Sequence, residues 1–377
     1  MIRFLILFFL IFSFEIKANK SYYLYVAAES DDEVSLLKFD GKTIEELERI
    51  EVGVMPTEIE GPHGITVDPS GDYWYLTLAH GSPYGSLVKY STENNIALSK
   101  TNLGLFPATM QVSPSTGFLY CVNFNLHGDM KPSTVSVVDP DLMVEIKQIT
   151  TGAMPHGSRL SSDGLFQYSV AMMSGELFEI DGISLEVNRK LNLEKMNHNH
   201  MDHNHMDHSN MDHNHMDHSN MNHSSNSMMK HSMVKPTWVI PHPKTKFAYI
   251  AGNGSDEIIE VDLDSWKVTE RIKTGKGPYN VEITPNGEKL IITLKGEGST
   301  AVLDLNDKKI LKTIKNTTSV SHGIAISPDS KYAFISVEGI GGEPGIVDVI
   351  NLETLELISS VKVGKQAGGI AFWKISD

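Results

Sequence analysis

A single cysteine, Cys121, stands in 377 residues, so no disulfide can form within the chain. Its surroundings, FLYCVNF, have the pattern of a strand, which makes the thiol a small buried hydrophobe rather than a nucleophile. Basic residues are also scarce. The 32 Lys and Arg face 47 Asp and Glu, for a formal charge of −15. That balance argues against binding nucleic acids or anionic membranes, whose affinity comes from Lys and Arg neutralising phosphate. Helical periodicity of any length is missing. The apolar run of residues 4–14 follows Arg3 and falls short of the roughly 20 residues that a bilayer span needs. It reads as the core of a secretory signal over residues 1–18, with cleavage after Ala18. The mature protein is then periplasmic or secreted, with no membrane span. No cysteine follows the cleavage position, which excludes a lipoprotein anchor.

What the chain does have is a repeat. One unit recurs as GPHGITVDPSGDYWYLTL, FPATMQVSPSTGFLYCVN, MPHGSRLSSDGLFQYSVA, KPTWVIPHPKTKFAYIAG, GPYNVEITPNGEKLIITL and VSHGIAISPDSKYAFISV. The third residue of each unit is His63, Ala108, His156, Thr237, Tyr279 or His322. Six residues later stands a turn residue: Pro69, Pro114, Ser162, Pro243, Pro285 or Pro328. Six further on stands Tyr75, Tyr120, Tyr168, Tyr249, Ile291 or Phe334. Each unit gives an alternating strand, a turn, a second apolar strand, and then a third and fourth strand such as EIIEVDLD and KVTERIKTG. Four strands in about 43 residues make a propeller blade.

The N-terminal segment from residue 21 supplies three strands and lacks the innermost one. The C-terminal GKQAGGIAFWKISD supplies one inner strand alone, with Gly368 at the third-residue position. Joined, they make a seventh blade and leave no free sheet edge. The expected fold is therefore all-β: a seven-bladed β-propeller over residues 21–377, closed by pairing its N- and C-terminal segments in one blade. These units, and SPDSKYAFISV with GIVDVINLETLELISSVKVG above all, resemble the YVTN-repeat propellers, an exported family related to surface-layer proteins. Its wider relatives include lactonase-like propellers, streptogramin lyases with similar PHGI strands, and the copper-bearing propeller of nitrous oxide reductase. The resemblance implies the fold and leaves function to the site. A copper cluster of the last kind is not expected, because the chain has too few channel histidines.

In a propeller the innermost strands line a central channel. The third residue of each unit opens such a strand, so these residues converge on one mouth, as do the loops after the second strands. Of sixteen histidines, ten lie between His198 and His231. Among the other six, His63, His156 and His322 hold third-residue positions. His80 and His127 follow the second strands of adjacent blades, and Met172 and Met173 hold the matching place in the next. Only His242 falls at a turn on the opposite face. The three channel histidines occupy blades two, four and seven, the nearest approach to three-fold symmetry that seven blades allow. They read as an open tris-imidazole metal site, with His80, His127, Met172 and Met173 as further candidate ligands. Glu29, Lys295 and Glu338 share one second-strand position. There they would be solvated rim, or the acid and base of an enzyme.

Residues 195–234 interrupt the repeat between blades four and five. Within them MDHNHMDHSN is written twice, at 201–220. The candidate ligands are His198, His200, Met201, His203, His205, Met206, His208, Met211, His213, His215, Met216, His218, His223 and His231. Such a composition cannot offset its ordering entropy by burial and is expected to be disordered without a ligand. Thioether sulfur favours Cu(I), while imidazole accepts Cu(II), Zn(II) and Ni(II). The mixture points to copper, with zinc or nickel as alternatives. The sequence thus reads as a monomeric exported propeller that sequesters copper, or delivers it to another envelope copper protein, without catalysis. The alternatives are a lactonase-like hydrolase or lyase using the channel histidines, and a docking platform for a partner protein.

Overall fold

Short apolar strands separated by Asp, Asn, Pro and Gly turns fold into seven four-stranded antiparallel sheets. The structure is a computed structural model, and it describes residues 20–377 apart from 56, 81–83, 127, 129 and 195–230. The expected signal segment, His127 and all of the Met/His run except His231 and its neighbours lie outside the described residues. Among the described residues no helix is long and apolar enough to cross a membrane. Six sheets are built from consecutive strands. In the remaining one, Ala367–Ser376 pairs with Ser21–Ala28, which continues into Glu33–Phe39 and Ile44–Glu51. The ring is closed as expected, by the two ends of the chain in one blade.

The strand patterns follow from position in the blade. Middle strands are covered by neighbouring blades on both faces and are buried along most of their length, as in Leu119–Asn123, where every residue is buried. Outer strands alternate, as in Glu186–Asn192, because one face meets solvent. Large rings fill the wedge between blades. Trp74 stacks on Tyr90 at 3.9 Å and on Tyr25 at 5.1 Å, which ties blade two to the closing blade. Cys121 is fully buried, and burial pushes its thiol above the ordinary range, as befits a packing residue.

Two local features recur where each blade enters the channel. The residue two positions before the channel residue has a left-handed backbone in all seven blades: Gly61, Phe106, Met154, Lys235, Gly277, Val320 and Gln366. Only two of these are glycine, so the turn is imposed on side chains that disfavour it. The pairing of each inner strand then slips at the channel residue, between Pro62 and Ile65, Pro155 and Ser158, or Ser321 and Ile324. A β-bulge frees one residue from the ladder and re-aims its side chain. Here it turns the channel residue toward the axis.

Glycine after each channel histidine has a steric cause. A Cβ on Gly64 would lie 1.8 Å from the Ala108 carbonyl oxygen, and one on Gly157 2.4 Å from that of Thr237. Neighbouring inner strands approach too closely for any other residue.

Candidate channel-mouth site

The bulges bring His63, His156 and His322 together at the neck of the channel. The His63 ring centroid lies 6.2 Å from that of His156 and 6.0 Å from that of His322, with the planes nearly perpendicular. His156 and His322 are 1% and 5% exposed. Above them opens a mouth cavity of about 530 Å³, lined by Phe106, Phe124 and Met172 on one side and by Tyr279, Lys295 and Glu338 on the other. Below them a channel cavity of about 270 Å³ runs toward the opposite face. His63, His322 and Gly368 border both, so the imidazoles stand at the division between them.

Each imidazole has a different set of partners. Nδ1 of His63 lies 2.8 Å from one oxygen of Glu29, and Nε2 of His80 lies 2.9 Å from the other. With Nδ1 engaged by Glu29, Nε2 is the His63 nitrogen left for the neck. Burial alone would raise the Glu29 carboxyl, but hydrogen bonds and positive potential from His63 and His80 outweigh it and hold the group well below its usual range. The same hydrogen bond raises His80 above the ordinary imidazole value. Glu29 is therefore no solvated rim residue. At 7% exposure it is the buried bridge between two histidines.

His156 donates from Nδ1 to the Thr237 carbonyl at 3.2 Å and accepts at Nε2 from the Tyr279 hydroxyl at 2.9 Å. Burial, aided by repulsion from His63, brings its pKa down to about 3. His322 is also depressed, by burial first and then by Lys295, His63 and His156. Its Nδ1 is buried without a hydrogen-bond partner, and its Nε2 stands 3.7 Å from Glu338, too far for a hydrogen bond. Glu338 is itself taken up by Lys295 at 2.7 Å, and the Lys295 ammonium sits 4.3 Å from the Tyr279 ring centroid. The neck thus offers His156 and His322, which burial keeps neutral, together with Nε2 of His63, to a mouth whose described lining carries one ammonium and two engaged carboxylates.

The remaining sequence candidates divide. Met172 and Met173 both pack against the apolar core shared by blades three and four, and Met172 also lines the mouth cavity. His80 reaches the neck only through Glu29. His242 lies at a turn of the opposite face, donating to the Gly287 carbonyl at 3.0 Å and accepting from Lys244 and Thr245 N–H. His231 is exposed where the chain re-enters blade five. The two ends of the Met/His insertion are pinned together: Glu194 accepts from Ser232 Oγ at 2.6 Å and from the Met233 amide at 2.9 Å. The Ser232 amide donates to the Met173 carbonyl, so the insertion is rooted beside the mouth.

Sequence reasoning missed Tyr279 and Thr237 as partners of His156, although both hold third-residue positions. It also missed that Glu29 and His80 act on His63 together. Among the described residues, no group of three or more His, Cys, Asp or Glu side chains stands in a ready-made metal-holding arrangement.

The model of the YNCE-like beta-propeller family matches residues 104–372. No curated protein matches the chain. Among solved structures it is similar to Kuenenia stuttgartiensis hydrazine synthase, at 19% identity over 81% of this chain and 80% of that one, with a TM-score of 0.59. A functionally unknown Desulfotomaculum acetoxidans protein aligns at 12% identity over 93% and 98% of the chains, with a TM-score of 0.67. A candidate 6-phosphogluconolactonase of Bacteroides uniformis aligns at 13% identity over 93% and 99%, with a TM-score of 0.64. These likenesses are of fold.

Proposed function

The chain belongs to the YNCE-like β-propeller family, and on that scaffold we propose that it is an exported metal-binding protein whose cargo is copper. The observation that carries the reading is the meeting of His63, His156 and His322 at one neck. An imidazole nitrogen about 2.1 Å from a metal puts its ring centroid about 3.2 Å away, so rings at a tetrahedral angle lie about 5.3 Å apart. The two His63 spacings of 6.0 and 6.2 Å exceed this by less than 1 Å, while Tyr279 packs against both of the other rings, 5.2 Å from His156 and 4.7 Å from His322.

The donor chemistry fits as well. Ligating imidazoles must be neutral, and burial keeps His156 and His322 so. A ligating histidine ordinarily donates its other N–H to a carboxylate or carbonyl, as His63 does to Glu29 and His156 to Thr237. The unpartnered Nδ1 of His322 is a buried polar atom that a ligand would satisfy. Binding would require the Tyr279 hydroxyl to leave Nε2 of His156. Tyr279 is therefore the group that cation and imidazole compete for.

The Met/His run, rooted beside this mouth by Glu194, would collect copper at low specificity and pass it to the neck. The role is sequestration, or delivery to another envelope copper protein. The test is elemental analysis of the full chain purified from the periplasm of copper-supplemented cells, alongside the variant His63→Gln/His322→Gln. Copper in the wild type, with one equivalent fewer in the variant, supports the reading. Copper-free wild-type protein sinks it.

A second reading, a channel-mouth hydrolase or lyase, is favoured by the Tyr279–His156 hydrogen bond and the Lys295–Glu338 pair, which place a hydroxyl, a base and an ammonium around one cavity. It expects turnover of a lactone or ester that Tyr279→Phe abolishes, with the metal content unchanged.

A further inference from the structure

Resting on the copper reading of the same neck, we infer that the site is selective for the cuprous ion, with Met172 as a thioether donor from the mouth, and that it discriminates against Cu(II) and Zn(II). The first argument is the medium around the three imidazoles. Phe106 stands 5.3 Å from His63, Phe124 4.7 Å and Trp238 5.6 Å from His156, and Tyr279 4.7 Å from His322, all between ring centroids. Two of the three histidines are almost wholly removed from water. The cost of taking an ion into such surroundings grows with the square of its charge, so a divalent ion is penalised about four times as heavily as a monovalent one before ligation compensates.

The second argument is the state of the counter-charges. Both carboxylates that line the mouth are engaged: Glu29 by His63 and His80, Glu338 by Lys295. Lys295 adds a positive charge on the same side. Neither carboxylate is placed to neutralise a dication without breaking an existing pair. A monocation held by neutral nitrogen donors makes no such demand.

The third is softness. Among the described residues, Met172 is the sulfur-bearing one lining the mouth cavity. Thioether sulfur is a ligand for Cu(I), and it is a poor one for Zn(II) and Cu(II). The Phe106 and Phe124 walls on the same side of the cavity offer no side-chain oxygen to compete with the thioether. Charge, counter-charge and donor type therefore agree on one ion.

The experiment compares the full wild-type chain with the full-chain variants His63→Gln/His322→Gln and Met172→Leu. Each is titrated anaerobically with Cu(I) against a chromophoric cuprous chelator, and separately with Cu(II) and with Zn(II) against competing chelators. Because the Met/His run is present in all three proteins, its contribution cancels in the differences. The double variant is expected to lose one tight Cu(I) equivalent while its Cu(II) and Zn(II) stoichiometries stay unchanged. Met172→Leu, a volume-conserving change, is expected to weaken that Cu(I) equivalent about tenfold and leave the divalent ions unaffected. Loss of an equally tight Cu(II) or Zn(II) equivalent in the double variant would overturn the selectivity and leave the metal reading standing. No loss of any metal would overturn both. An unaltered Cu(I) affinity in Met172→Leu would remove the thioether from the site.

Discussion

Glu29 holds His63 by its Nδ1, at 2.8 Å, across the boundary between adjacent blades: the glutamate follows the second strand of the closing blade, and the histidine opens blade two. The bond fixes which nitrogen of His63 faces the neck. Glu29→Gln should therefore weaken metal binding at the neck by about 10–100-fold without unfolding the ring. Chelator competition measures the affinity, and an unchanged circular dichroism spectrum confirms the fold.

The same substitution has a signature in pH. His80 is raised by its hydrogen bond to Glu29, and Glu29 is lowered by His63 and His80. The His80 contribution to stability is complete below the unfolded imidazole value and fades as pH rises through the raised folded value. The Glu29 contribution is complete above the unfolded carboxyl value and fades as pH falls through the lowered one. The pair is thus strongest between the two ordinary values, in mildly acidic solution. Glu29→Gln should return the His80 ring titration, read by NMR, to the ordinary imidazole range.

Acid should act on the neck in the opposite sense. His156 is depressed to about 3, so between that pH and the ordinary imidazole value the unfolded chain takes up a proton that the folded chain refuses. Stability falls with decreasing pH in this window, by up to about 1.4 kcal/mol per unit for each such histidine. His156→Phe should flatten the dependence of the urea midpoint on pH between about 6 and 4. A slope equal to that of the wild type would show that His156 charges freely in the fold.

Gly64→Ala should be far costlier than its size suggests. The new Cβ would lie 1.8 Å from the Ala108 backbone oxygen, and no flexible side chain can yield there. Two inner strands must move apart, which overpacking studies place at about 1–3 kcal/mol or more. Equilibrium urea unfolding measures the loss.

Val320→Gly should do the reverse. Val320 has a φ of 70°, a left-handed conformation that a β-branched residue reaches only under constraint. Glycine removes that strain, worth about 1–2 kcal/mol, and gives part of it back in chain entropy. A net gain of up to about 1 kcal/mol in the urea unfolding free energy is expected. A loss would mean that valine's contacts there outweigh its strain.

The blade count, the closing pair and the shared face of His63, His156 and His322 were legible in the sequence because they depend on register alone. A repeat that keeps its spacing keeps its strands, and alternation does the rest. What register cannot carry is the identity of a side chain's partner in the next blade. Tyr279 and His156 belong to units two blades apart, and nothing in either unit marks the 2.9 Å bond between them. Glu29 looked like rim because charged residues after a strand usually are. Its burial depends on His63 and His80 closing over it from another blade. The bulges were equally hidden, since a slipped pair changes no residue in the pattern. Phe106, Lys235 and Val320 in a left-handed turn run against local preference, and only the pitch of the whole ring accounts for them.

The closing pair also sets the order in which the molecule can be finished. Ser21 is matched with Ser376, so the first strand to be made is among the last to be completed. Until the final strand arrives, Ser21–Ala28 waits with one edge bare, and the earlier blades form an open arc rather than a ring. Contacts of such span are slow to form, and a bare strand edge invites pairing with another chain. The neck, which needs His63 from one side of the seam and His322 from the other, comes into being only at that last step. A chain halted short of it would hold six blades and no site.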